Sequence, residues 1–148
     1  MSKKEKKAKI SRYSLPYLRE YFLSLQNNNY SKQTLKNYRR DLKIFSTFLY
    51  YIEKQFKDLD KMDLVEYKGF LRNQNYIPIL HAYKEDKELT QEIIDKSLND
   101  ISEKKRALYK GQLSDSSVNR MLSAIRSYLT FLQEMDKETP LDPTAVKM

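Results

Sequence analysis

Apolar residues recur at three- and four-residue intervals along most of the chain. Across 31–54, Leu35, Tyr38, Leu42, Phe45, Leu49 and Ile52 fall on one stripe, the spacing of a helix with one buried face. Across 114–134, Val118, Met121, Leu122, Ile125, Leu129 and Leu132 repeat it. Shorter versions are Leu18, Tyr21, Phe22 and Leu25 over about 15–26, and Leu64, Tyr67, Phe70 and Leu71 over about 61–74. Four such stripes suffice for a bundle with a single core.

The helix starts share one grammar: an apolar residue, a capping residue, then an apolar residue four positions on. The sets are Tyr13-Ser14 with Leu18, Tyr30-Ser31 with Leu35, Leu59-Asp60 with Leu64, Leu89-Thr90 with Ile94, and Leu113-Ser114 with Val118. The side-chain oxygen takes an orphan backbone N–H, and the two apolar residues clamp the entering chain. Pro16 falls in the first turn of its helix, where a missing N–H is harmless. The pattern predicts an all-α fold, a compact four- to five-helix bundle.

Residues 73–112 differ. Pro78 interrupts them, and Glu85, Asp86, Glu88, Glu92, Asp95, Asp100 and Glu103 make them acidic. A helix from Thr90 to about Lys110, ending at Gly111, is expected, as part of a helical insertion at about 77–112. Residues 1–12 hold Lys3, Lys4, Lys6, Lys7, Lys9 and Arg12 against Glu5 and read as a disordered basic tail. Residues 13–137 read as the helical domain. Residues 138–148, with Pro140 and Pro143, read as a linker.

Composition narrows the function. There are no cysteines and one histidine, so thiolate catalysis, cysteine zinc sites and histidine-pair chemistry are excluded. Two glycines leave no glycine-rich phosphate loop. No apolar run approaches the roughly 20 residues of a membrane span, and no signal peptide is visible. A cytoplasmic protein without metal, cofactor or small-molecule substrate is expected. The net charge of +8 points to a polyanionic partner such as nucleic acid.

The cations are patterned. Lys32, Lys36, Arg40, Lys43 and Thr47 recur opposite the 35–42–49 stripe, with Arg39 beside them. Ser116, Arg120, Ser123, Ser127 and Thr130 recur opposite the core stripe of the last helix, with Asn119 and Arg126 to one side. Hydroxyls can bond phosphate, and arginine can pair with guanine in the major groove. Such faces are also the usual solvated side of an amphipathic helix.

Ser31-Lys-Gln-Thr34 with Tyr38, Asp41-Leu42 and Phe45 resembles the first stretch of the core-binding, SAM-like domain of phage integrases and Xer-like tyrosine recombinases. Leu113 to Leu132 resembles that domain's last helix, and Leu59 to Leu71 an intervening one. The resemblance spans about 14–146 apart from the insertion. It implies a module that clamps double-stranded DNA, with its second and last helices toward the major groove and with other recombinase protomers on the same site. It carries Thr34, Lys36, Asn37, Arg40, Lys43, Ser116, Ser117, Arg120, Ser123 and Arg126 over as DNA contacts. It also implies a following catalytic domain with a tyrosine nucleophile. The chain ends at Met148, about where that domain would begin, and has no histidine-x-x-arginine. No catalytic residue and no strand cleavage by this polypeptide are therefore expected, although the parent would break and rejoin DNA. The alternative is a helical protein-interaction module that docks through Ile93, Ile94, Leu98, Ile101 and Leu108. Carboxylate pairs such as Glu88 with Glu92 read as solvated helix surface.

Overall fold

The longest apolar stripe becomes the central helix. A computed structural model describes residues 12–99 and 115–147, which contain six α-helices and no strand. They are α1 (Leu18–Asn27), α2 (Lys32–Ile52), α3 (Lys61–Asn73), α4 (Ile77–Lys84), α5 (Gln91–Asn99) and α6 (Asp115–Glu134). Short 3-10 turns lie at Phe56–Asp58 and Pro143–Ala145. The all-α expectation holds. The basic tail up to residue 11, the expected helix beyond Asn99 with Gly111, and the Leu113–Ser114 cap fall outside the described residues.

Three of the expected caps form. Ser31 Oγ accepts from Thr34 N at 3.1 Å, and Thr90 Oγ1 accepts from Ile93 N at 3.3 Å. Asp60 and Asp63 make a reciprocal capping box. Each cap is worth about 1 kcal/mol. Ser14 does not cap. The first helix starts at Leu18, and Tyr17 before it is left-handed at φ 59°. The cause is Pro16, which disfavours helical backbone at Leu15. Leu15 turns into the core instead, and the Pro16 carbonyl accepts from Tyr128 Oη at 2.5 Å.

The core joins all the longer helices. Tyr21, Phe22 and Leu25 of α1 meet Leu42, Phe45 and Leu49 of α2, with Leu64, Tyr67 and Leu71 of α3 and the Val118–Leu132 stripe of α6 in one buried cluster. Tyr67 is fully enclosed, with ring centroids 5.1 Å from Phe45 and 5.0 Å from Phe48. Burial of each such side chain contributes about 1.5–3 kcal/mol.

The second half of α2 is buried all round: Ile44, Ser46, Thr47, Phe48 and Tyr50 are enclosed as well as the stripe. The far side is covered by α4. Ile79, Ala82 and Tyr83 of α4 belong to the same cluster, and Tyr50 Oη donates to the Lys87 carbonyl at 2.6 Å. Pro78 does not break this segment. It stands in the first turn of α4, where proline is pre-shaped for a helix. The start of the segment read as an insertion is thus core-forming. Gln74 Nε2 donates to Ser97 Oγ at 2.7 Å and brings α5 back onto the end of α3.

The C-terminal segment is also packed. Leu141, Pro143 and Val146 are buried, and Gln133 Nε2 donates to Asp142 Oδ2 at 3.3 Å. The prolines suggested a linker because isolated anchors carry no periodicity. As far as Lys147 the segment is a strap on the bundle.

Burial holds several phenols protonated. Tyr50 is pushed from its ordinary 10.0 to about 12, first by burial and then by nearby carboxylates and Tyr13. Tyr21, Tyr67 and Tyr128 are raised by burial too. A raised phenol contributes stability that is complete below pH 10 and disappears as pH climbs through the folded value. Alkaline titration followed by tyrosinate absorbance and circular dichroism should therefore show these phenols ionising together with loss of helix, above pH 10. Ionisation of all tyrosines with the helix signal intact would contradict the packing. Tyr67 Oη is buried with no hydrogen-bond partner among the described residues, so Tyr67→Phe should raise stability by about 1 kcal/mol in urea unfolding. A loss of more than that would mean the hydroxyl has a partner.

Candidate nucleic-acid interface

On α2 an acid stands inside the apolar stripe. Asp41 lies beside Leu42 and three residues after Tyr38, and its side chain is wholly enclosed. An unpaired carboxylate there would be costly. Arg120 of α6 supplies the partner, with Nη2 donating to Oδ1 at 3.0 Å and Nε to Oδ2 at 3.2 Å. Both prongs of a planar fork are used, the strong geometry for such a pair. Burial lifts the Asp41 carboxyl above its ordinary value, while the Arg120 hydrogen bonds and the charges of Arg120 and Arg40 pull it back.

This pair joins the first halves of α2 and α6. Thr34, Asn37 and Asp41 form one helical row, so the two half-buried polar residues lead up to the pair. Lys36, Arg40 and Lys43 form the neighbouring row and are exposed. Arg40 is near enough for its charge to act on Asp41. Asp41 is the sole acid of α2 and is neutralised within, so the exposed face of Lys32, Lys36, Arg39, Arg40 and Lys43 is uniformly cationic. Arg39 is held against α1, its guanidinium 4.7 Å from the centre of the Phe22 ring. Thr34 shares a 2.9 Å hydrogen bond with Ser31, and Asn37 Oδ1 accepts from Gln33 Nε2 at 3.1 Å.

On α6, Ser116 is exposed and Ser117 and Ser123 are half-buried. Arg120 retains 38% of its side-chain exposure and has guanidinium N–H groups that Asp41 does not use. The expected polar row does not stay open along its length. Ser127 accepts from Tyr21 Oη at 2.8 Å, and Thr130 donates to the Arg126 carbonyl at 2.9 Å. That end of the row is the seam with α1, which forms an open groove of about 440 Å³ with Ser123, Arg126 and Tyr30. Arg126 is committed elsewhere: Nη2 donates to the Val146 carbonyl, and Nε is buried without a partner among the described residues. Thr47, expected on the cationic face, is fully buried and donates to the Lys43 carbonyl at 3.0 Å. The cationic row therefore ends at Lys43, because α2 is enclosed from Ile44 to Tyr50.

Sequence reading missed the role of Asp41 as the partner that fixes Arg120. The available signal was an acid on an apolar stripe, which requires a cation from another element. Among the described residues no cluster of three metal-ligating side chains occurs, and no helix is long and apolar enough to cross a membrane.

Residues 18–77 match the family model for the phage integrase N-terminal SAM-like domain. The match takes in α1, α2, α3 and the first residue of α4. It is consistent with the core-binding domain of a tyrosine recombinase and suggests a recombinase DNA-binding role. The likeness read between Leu113 and Leu132 lies outside the matched range. Comparison with curated proteins and with solved structures returned no match.

Removing Arg120 leaves an enclosed carboxylate with no fork. Arg120→Ala should cost about 2–3 kcal/mol at neutral pH, at or just below the bottom of the range for a fully buried pair because Arg120 is partly exposed. The raised carboxyl sets the sign. Asp41 is least costly when protonated, so the deficit should shrink as pH falls through its folded pKa. Asp41→Leu combined with Arg120→Met should recover most of the loss. Thermal melts with a pH-independent deficit, or no recovery in the double variant, would show that the pair is not the strut.

Proposed function

We propose that this domain binds double-stranded DNA sequence-selectively, as the core-binding domain of a site-specific tyrosine recombinase or integrase. The observation that carries the reading is the Asp41–Arg120 fork. It ties the first half of α2, which carries the exposed cations, to the first half of α6, which carries the hydroxyls, and so supports reading the two as one surface. Phosphates repel acids and attract exposed cations, and α2 offers an acid-free outer face.

In this reading Lys36, Arg40 and Lys43 contact phosphates and set the affinity. Thr34, Asn37, Ser116, Ser117 and Ser123 bond to backbone oxygens or base edges. Arg120 reaches DNA with the N–H groups left over from Asp41, and Arg126 contributes at the margin, where it also holds the C-terminal strap. Strand cleavage belongs to a catalytic domain with a tyrosine nucleophile, working in the cytoplasm among other protomers on the same DNA.

A protein-interaction module remains as a second reading through α5. Leu98 is 49% exposed there, beside exposed Glu92 and Asp95. Deleting 77–112 would not separate the two readings, because it removes Ile79, Ala82 and Tyr83 from the core. Leu98→Asp leaves the core intact and should spare DNA binding while weakening any partner contact.

The test is a salt series with a duplex recombination site, followed by fluorescence anisotropy. If about four phosphates are neutralised, log affinity should fall with log salt at a slope near −3 to −4. Arg40→Ala and Lys36→Ala should each weaken binding and flatten the slope by about 1. Arg120 is best tested as Arg120→Met in the Asp41→Leu background, where folding is held constant. Absent or salt-insensitive binding, or an Arg40→Ala variant that binds like the parent, would overturn the assignment.

A further inference from the structure

At the far end of α2 the surface reverses its character. An open pocket of about 370 Å³ lies between Arg12–Tyr13, the end of α2, the end of α4 and the turn that follows. Three tyrosines wall it. Ring centroids are 6.0 Å apart for Tyr13 and Tyr50, 6.5 Å for Tyr13 and Tyr83, and 5.3 Å for Tyr50 and Tyr83. Three carboxylates, Glu53, Asp86 and Glu88, share the rest of the lining with Arg12, Lys87 and Leu89, so acids outnumber cations three to two, and the charge of each acid is felt at Tyr50.

The site has an unmet demand. Asp86 Oδ2 is enclosed and has no hydrogen-bond partner among the described residues. Among the lining residues the one ammonium, that of Lys87, is drawn to Glu85 at 2.6 Å. Aromatic faces beside carboxylates suit an organic cation, and an enclosed, unpaired carboxylate oxygen calls for a donor.

We propose that this pocket binds a lysine ammonium group, and that its occupant is the chain's own segment Lys3–Lys9. Charge complementarity selects that segment: Lys3, Lys4, Lys6, Lys7 and Lys9 stand against Glu5 alone. Reach permits it, because Arg12 already lines the pocket and Lys9 is three residues away, within about 10 Å of extended chain. Glu53 lies thirteen residues beyond Arg40, about 20 Å along a helix. A tail seated here is held away from the Thr34–Arg40 surface. Its lysines then do not add to phosphate contacts unless they leave the pocket.

The test needs no DNA, so its failure is separable from failure of the DNA reading. The full chain is treated with a water-soluble carbodiimide, which joins amines to carboxylates in contact, and the products are mapped by mass spectrometry. A mixture of isotope-labelled and unlabelled protein separates links within a chain from links between chains. Links within one chain from Lys6, Lys7 or Lys9 to Glu53, Asp86 or Glu88 are expected. The link to Asp86, whose carboxylate is untouched and still reactive, should be lost in Glu53→Gln with Glu88→Gln, a pair of surface changes whose folding is checked by circular dichroism. Links from these lysines spread equally over other carboxylates such as Glu20 and Glu134, links mainly between chains, or an Asp86 link unchanged in the double variant would overturn the proposal.

Discussion

The fork between Asp41 and Arg120 is the constraint on which the rest of the molecule turns. A carboxylate enclosed in an apolar seam cannot be left without compensation. Its partner comes from a helix seventy-nine positions away in sequence. The pair therefore sets the register of α6 against α2. Apolar packing alone would tolerate a slide of one turn; a two-pronged hydrogen bond to a buried acid does not.

Everything on the cationic surface inherits that register. Lys36, Arg40 and Lys43 are ordinary exposed residues of an amphipathic helix, and they gain meaning from what the fork sets beside them. Two further contacts trim the surface. The hydrogen bond from Tyr21 to Ser127 closes the distal part of the α6 polar row, and the burial of Thr47 closes the distal part of the α2 row. What remains open is the first half of each helix, joined by the ion pair.

Charge is separated along α2 as well as across it. The first half presents lysine and arginine without exposed acid, while the last turn leads to Glu53 and the acidic turn after α4. A chain of net charge +8 thus carries a local acidic, aromatic pocket at one end of its central helix.

Five of the six described helices and three of their caps followed from the chain itself, because periodicity and capping are local properties, decided within a turn or two. Ser31, Asp60 and Thr90 act on amides three residues away. What needed the tertiary structure was every question of partnership. Pro78 could end a helix or begin one, and only the packing of Ile79, Ala82 and Tyr83 on α2 decided that it begins α4. Leu141, Pro143 and Val146 have no period to read, yet they dock as single anchors. Arg120 and Arg126 look alike as polar arginines on one helix, but one is claimed by a buried acid and the other by a carbonyl of the C-terminal strap. Sequence spacing says which way a side chain leaves its own helix. Which element waits there depends on contacts between residues far apart in the chain, and those exist only once the chain has folded.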